Sequence, residues 1–311
     1  MGTPEFAVRS LDALVKANVD VVGVVTAPDK PAGRGRQLQG SAVKARALEL
    51  GLPLFQPVKL RDPDFHRQLA GLGADLFVVV AFRMLPEAVW NMPRLGTINL
   101  HASLLPQYRG AAPINWVVIN GETTTGATTF FIRHEIDTGD VLMRETLSIG
   151  PNETAGELHD RLAAMGGQLL ARTVQHVLDG TIQRQPQQAD ANVVLRSAPK
   201  LAPENCRIDW RHHTTRVHDH IRGLSPYPGA WTEWHQGDRK MHFKVLRTSL
   251  ASSGPSSSVV PGTVQLDREG MLVACGDGWL RLIEVQLEGK RRMSAADLAR
   301  GIAVDQSITL R

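Results

Sequence analysis

The chain has 311 residues, 42% hydrophobic and 21% charged, with a formal net charge of +4; this is ordinary globular composition and excludes a disordered or collagen-like chain. No apolar run approaches the roughly 18 residues of a membrane span, the first residues lack the pattern of a signal peptide, and Cys206 and Cys275 alone cannot build a disulfide framework. A cytosolic protein of about two domains is expected.

In chain order, Phe6, Val8, Leu11, Leu14 and Val15 fall near helical spacing behind the start signal Thr3-Pro4-Glu5, so residues 5–17 are expected to be helical. Residues 19–26 (VDVVGVVT) are continuous and β-branched, as in a buried parallel strand. Residues 30–46 carry Lys30, Arg34, Arg36, Lys44 and Arg46 without an acid, and Gly33, Gly35 and Gly40 mark a loop. Residues 42–50 look helical, while 75–82 (DLFVVVAF) and 97–100 (TINL) read as further strands. Strands alternating with helices predict an α/β doubly wound domain.

Residues 128–134 and 141–149 flank Asp137-Thr138-Gly139-Asp140, a hairpin with a wide loop. Thr154 and Glu157 form a capping box and open a helix with Leu158, Leu162, Met165, Leu169 and Val177 on one face. Residues 183–203, rich in Gln, Ala and Pro, read as a linker. Beyond it come a short helix at 214–222 and β-like runs at 242–246, 263–266, 271–274 and 280–285. Gly, Ser and Pro separate these runs, so a small β-barrel is expected.

The sequence holds no GxxxxGK[ST], no GxGxxG after a strand and no HExxH. Residues 211–220 cluster His212, His213, His218 and His220, but no Cys or spaced carboxylate set supports a metal, and a polar helix face is the simpler reading. The informative segment is 95–113, LGTINLHASLLPQYRGAAP. Asn99 and His101 stand two apart at a strand end, so they share a face. Open α/β sheets bind ligands there, and an amide beside an imidazole could hold a developing oxyanion. An isolated pair of this kind could equally cap a turn and bond the backbone. Asp137 could orient or protonate the histidine from its loop, and Asp140 competes for that role.

NLHASLLPQYRGAAPINW together with HEIDTGD resembles the folate-dependent formyltransferases, over nearly the whole chain. MGTPEF, APDKPAGRGR and IRGLSPYPGAW are similar to the tRNA-acting branch of that family. The resemblance implies a Rossmann-like formyltransferase domain at 1–185, a linker at 186–204 and an OB-like tRNA-binding domain at 205–311. It implies formyl transfer from 10-formyltetrahydrofolate, a co-substrate, to the α-amine of methionine on initiator tRNA, in a cytoplasmic monomer without a metal. Asn99, His101 and Asp137 then match the catalytic motif, Ser103, Leu104, Leu105 and Pro106 the folate-binding turn, and Arg34, with Arg36 and Lys44 beside it, the loop directed at the acceptor stem.

The alternative is a formyltransferase for an amino-sugar or ribonucleotide amine. It would share the three polar residues but would not need the basic 30–46 segment or a cationic C-terminal barrel. Residues 200–311 hold 16 of the 35 Lys and Arg and 12 of the 31 Asp and Glu, so the whole +4 lies there; such a bias is read either as a solubility feature or as a face for a polyanion such as nucleic acid. A doubly wound domain normally opens with a strand before its first loop. Met1–Pro4 already reads as that loop, so the first strand is expected to be missing, leaving a gap or an unpaired edge between 19–26 and 75–82.

Overall fold

A computed structural model of the chain describes residues 1–32, 37–188, 193–251, 259–301 and 307–311; Arg34 and Arg36 of the basic loop lie outside these. The first elements are α1 (Glu5–Lys16), β1 (Val24–Val25), β2 (Lys30–Ala32), β3 (Gln37–Gln39), α2 (Ala42–Glu49), β4 (Leu54–Phe55), α3 (Pro63–Gly71), β5 (Phe77–Val80) and α4 (Glu87–Trp90). Then come β6 (Thr97–His101), β7 (Arg109–Gly110), α5 (Pro113–Ile119), β8 (Thr124–Phe131), β9 (Val141–Ser148), α6 (Ala155–Leu178) and β10 (Ser197–Ala198). The last are α7 (Thr214–Gly223), β11 (Ala230–Gln236), β12 (Arg239–Leu250), β13 (Val264–Asp267), β14 (Gly270–Ala274), β15 (Trp279–Leu287), β16 (Met293–Ser294), α8 (Ala295–Arg300) and β17 (Ile308–Leu310). By contacts the chain divides into two units: Met1–Gly110, Thr125–Leu147 and His159–Ser197 form the first, and Ala111–Thr124, Ser148–Leu158 and Ala198–Arg311 the second.

Helices α2 and α3 of the first unit start where a side chain satisfies a free N–H group. The Ser41 hydroxyl accepts from Lys44 N–H at the head of α2. Asp62 caps α3, with Pro63 in its first turn, where a missing N–H is harmless. On α1, Phe6, Val8, Leu11 and Leu14 are buried at helical spacing. The main sheet has the order β5-β6-β8-β9. β5 and β6 run parallel, with Val79 opposite Asn99, and β6 and β8 run antiparallel, with His101 opposite Thr128. β6 is therefore flanked on both sides, and its end carries the candidate site.

Of residues 19–26, expected as one strand, only Val24 and Val25 pair, in parallel with Leu54 and Phe55. Between β1 and β5 the backbone is bridged by Met1 and Gly2: Gly2 N–H donates to Val25 O at 3.0 Å, and Val80 N–H to Met1 O at 2.9 Å. Met1 and Gly2 also line a cavity of about 320 Å³ whose walls include Leu11, Leu14, Val21, Gly23, Leu72 and Val78. The β-branched run at 19–22 is thus strand-like in composition without a ladder partner, because strand propensity reports packing more than an intrinsic backbone preference.

The second unit holds an antiparallel sheet of order β13-β14-β15-β12-β11-β17, with β16 alongside β15. Its two ends meet. Thr263 bridges Thr309, and Leu310 N–H donates to Gly262 O at 2.8 Å, so the sheet closes into a barrel. Gly262 permits this closure: its φ is +88°, and a Cβ there would sit 2.1 Å from Leu310 O. Trp234 and Phe243, edge to face at 5.0 Å between centroids, are buried in the barrel core. Helix α5 belongs to this unit and packs on α7, where Asn115 Nδ2 donates to Gly223 O at 2.8 Å.

The Thr154–Glu157 capping box forms as expected: Glu157 Oε2 accepts from Thr154 N–H at 2.8 Å, and Thr154 Oγ1 accepts from Glu157 N–H at 3.2 Å. The clustered histidines do not converge on a common partner. His213 Nδ1 lies 2.9 Å from Asp277 and His218 Nδ1 2.8 Å from the Thr248 hydroxyl. Burial pushes the His220 imidazole down to about 4 and leaves its Nε2 without a partner. Among the described residues no three metal-ligating side chains converge, and no helix is long and apolar enough to cross a membrane.

Candidate active site

Asn99 and His101 are two residues apart on β6 and project to one face. Asn99 is half-buried and His101 buried. His101 Nε2 lies 2.8 Å from the Tyr108 carbonyl. A carbonyl only accepts, so Nε2 carries a proton and donates it. Tyr108 itself is held at φ +58°, with its N–H on Arg196 O at 2.7 Å. The other ring nitrogen, Nδ1, faces Asp137 Oδ2 at 3.7 Å. That is ion-pair range but too long for a direct hydrogen bond.

The structure separates the two competing carboxylates. Asp137 Oδ2 also accepts from Gly110 N–H at 3.0 Å, which holds the carboxylate beside His101. Asp140 instead pairs with Arg133 at 2.5 Å. Asp137 adopts φ +55°, a left-handed conformation that aspartate, after glycine and asparagine, enters more readily than most residues. Its loop runs close to β8: a Cβ on Gly139 would lie 1.6 Å from Phe131 O, so only glycine fits. Gln187 closes the loop from the other side. Its Nε2 donates to Asp137 O at 2.8 Å and Gly139 O at 2.9 Å, and its Oε1 accepts from the Arg109 guanidinium at 2.6 Å.

The turn after β6 is cross-tied. The Ser103 hydroxyl donates to Gln107 O at 2.6 Å. The Thr128 hydroxyl donates to Ser103 O at 2.7 Å and accepts from Leu105 N–H at 3.1 Å. Arg144 donates to Leu105 O at 2.9 Å, and burial lowers its pKa. Ser103 and Leu105 are buried and build the turn, whereas Leu104 and Pro106 retain exposed surface. Of the basic-loop candidates, Lys44 donates to Asp29 at 2.5 Å, and that contact, with one from Gln56, holds the Asp29 carboxyl below its usual range. Arg46 pairs with Asp12 at 2.6 Å. The acids that residues 30–46 lack are thus supplied by Asp29, next to the segment, and by Asp12 on α1.

Sequence reasoning missed four contributors: the Tyr108 carbonyl, the Gly110 N–H, Thr128 and Gln187. Two act through the backbone and carry no side-chain signature. Thr128 is legible only through its register opposite His101. Gln187 lies in a Gln-rich stretch that reads as a linker.

The family pattern described as Formyl transferase matches residues 1–174, and that described as Formyl transferase, C-terminal domain matches residues 200–303. The chain is 49% identical to a methionyl-tRNA formyltransferase of Bacteroides fragilis, over 100% of this chain and 96% of that protein. It is 52% identical to one of Parabacteroides distasonis, over 97% of this chain and 94% of that protein. Among solved structures, an N-formyltransferase from Helicobacter canadensis, crystallised with folinic acid and dTDP-3-aminofucose, superimposes with a TM-score of 0.64. The match covers 90% of this chain and 96% of that one at 18% identity, a likeness of fold.

Proposed function

The chain belongs to the formyl transferase family, and from that premise we propose that it moves the formyl group of 10-formyltetrahydrofolate to the α-amine of methionine on charged initiator tRNA. The observation that carries this reading is the site on β6: an amide at Asn99 beside His101, whose one free nitrogen faces Asp137. Relatives near 50% identity along the full length bear the name of that reaction.

A free α-amine has a pKa of about 7.7–8.0, and an aminoacyl ester lowers it, so the nucleophile is substantially neutral at pH 7. Its attack on the formyl carbon generates a tetrahedral oxyanion, to which the Asn99 amide donates. With Nε2–H on Tyr108, only Nδ1 of His101 is open to accept the proton that the amine sheds, directly or through one water. Asp137 balances the imidazolium so formed. Collapse of the intermediate expels the folate nitrogen, which takes the proton back. Formyl carbon, electron pair and proton are then accounted for without a covalent enzyme intermediate or a metal.

The turn at 103–106 borders the folate, with Leu104 and Pro106 as its accessible members. Arg34 and Arg36 supply cations for the acceptor stem, and Lys44 would exchange Asp29 for a phosphate. The cationic 205–311 domain adds phosphate contacts of its own. The enzyme acts as a cytoplasmic monomer. The test is to incubate the protein with 10-formyltetrahydrofolate and charged initiator tRNA, free methionine and a nucleotide-linked amino sugar in parallel. Formylmethionyl-tRNA should dominate by orders of magnitude. Preferential formylation of the amino sugar would overturn the acceptor assignment.

A further inference from the structure

The Asp137 loop poses a mechanical problem. Asp137 is left-handed, and its neighbours Glu135 and Ile136 are exposed, so the loop lacks a packed core of its own to hold that conformation. Three contacts link it to the strand that follows the turn. Gly110 N–H holds the carboxylate. Arg109, one residue earlier, holds Gln187 Oε1 through Nε at 3.2 Å and a terminal nitrogen at 2.6 Å. Gln187 Nε2 then holds the Asp137 and Gly139 carbonyls. The ring closes on itself: carboxylate to 110, 109 to 187, 187 back to the backbone of 137.

Chemistry fixes the orientation of this amide. A guanidinium only donates and a carbonyl only accepts. Oxygen toward Arg109 and nitrogen toward the two carbonyls is therefore the arrangement that satisfies every group. Gln187 is half-buried in a run of exposed neighbours, 183–186 and 188. Gln185 ties this segment to Val141 through two backbone hydrogen bonds, and Gln187 carries it on to the Asp137 loop through its side chain.

We propose that Gln187 is a positioning residue for formyl transfer, holding the Asp137 backbone so that the carboxylate stays on His101. This rests on the reading of Asp137 given under Proposed function. Glutamate is the telling substitution. It keeps the length and the Arg109 contact, now as an ion pair, but it presents a carboxylate oxygen to two carbonyls and loses the donor. A merely structural tether to Arg109 would survive that change or gain from it.

The experiment measures kcat and both KM values for wild type, Gln187→Ala, Gln187→Glu and Asp137→Asn, and for Gln187→Ala combined with Asp137→Asn. Gln187→Ala is expected to lower kcat about tenfold, a loss typical of a slightly misplaced catalytic group, with the KM for folate unchanged. Gln187→Glu should fall at least as far. In the Asp137→Asn background, Gln187→Ala should have no further effect, because it acts through Asp137. Wild-type kcat in Gln187→Glu, or full additivity in the double variant, would overturn the proposal. If Asp137→Asn itself turned over normally, the assignment of Asp137 would fail instead, and the two failures are distinguishable.

Discussion

The two units treat backbone strain in opposite ways. In the first, Asn18, Ala81, Tyr108 and Asp137 are non-glycine residues at positive φ, and two of these, Tyr108 and Asp137, touch His101. In the second, among the described residues, positive φ occurs only at glycines: Gly121, Gly229, Gly237, Gly262, Gly270 and Gly289. A closed barrel is under no pressure to hold a side chain at an awkward angle and uses glycine for its tight places. The Asp137 loop presents its carboxylate from a left-handed residue, a conformation aspartate enters more readily than most side chains, and holds it with hydrogen bonds from Gly110 and Gln187. The contrast separates strain that aims a functional group from backbone that only turns.

The largest expected effect comes from removing the aimed groups. Asn99→Ala, His101→Ala and Asp137→Ala should each cut turnover at least about 100-fold, the usual scale for an oxyanion donor or general acid–base. Asp140→Ala should lose under about tenfold, because its carboxylate is committed to Arg133. Steady-state kinetics decide between them, and an inactive Asp140→Ala beside an active Asp137→Ala would reverse the assignment. Asp137→Gly sharpens the point. It should be as inactive as Asp137→Ala yet more stable by about 1 kcal/mol in urea unfolding, because glycine tolerates the left-handed backbone.

Next come the two tight glycines. Gly262→Ala should destabilise the barrel by about 3 kcal/mol or more, since the added methyl meets Leu310 O on a backbone that disfavours alanine. Gly139→Ala should instead show itself mainly in kcat, by displacing the Asp137 loop from Phe131 O. Thermal melts beside turnover rates separate the two. Equal loss of stability in both would dissolve the contrast drawn above.

A smaller effect is expected from pH. His220 has a folded pKa of about 4 against an ordinary 6.5, caused chiefly by burial. Between those values the unfolded chain binds more protons. Stability is therefore full above pH 6.5 and falls as pH drops toward 4, by on the order of 2–3 kcal/mol. Urea titrations at pH 7 and 4.5 should show this drop reduced in His220→Gln, and an unchanged drop would assign it to other groups. The mildest change is Arg34→Ala, which should raise the KM for charged tRNA several-fold and lower the salt slope by about one phosphate contact. Folate KM should not move, and unaltered tRNA kinetics would remove Arg34 from the interface.

Legibility in the sequence followed the same division. The β6 strand and the pairing of Asn99 with His101 were readable, because period-two geometry places them regardless of context. The Thr154–Glu157 box was readable because capping is local. Residues 19–22 misled, since a β-branched run says nothing about whether a partner strand lies alongside. β11 was missed because its inward residues, Ala230, Thr232 and Trp234, include a small and a polar side chain that blur the alternation. The choice between Asp137 and Asp140 needed Arg133 and Gly110, both brought in by folding. Gln187 was invisible for the same reason: its role is set by two carbonyls and a guanidinium distant in the chain.

The hydrogen bond from His101 to the Tyr108 carbonyl has a consequence for mutation. The tautomer of the imidazole is set by a main-chain atom that every amino acid supplies, so exchanging the side chain at position 108 cannot delete the acceptor. What can delete it is a change in the number of residues between 101 and 108, which would swing that carbonyl elsewhere. A substitution at 108 that keeps the backbone conformation should therefore preserve the tautomer, whereas an insertion or deletion between 101 and 108 should abolish it.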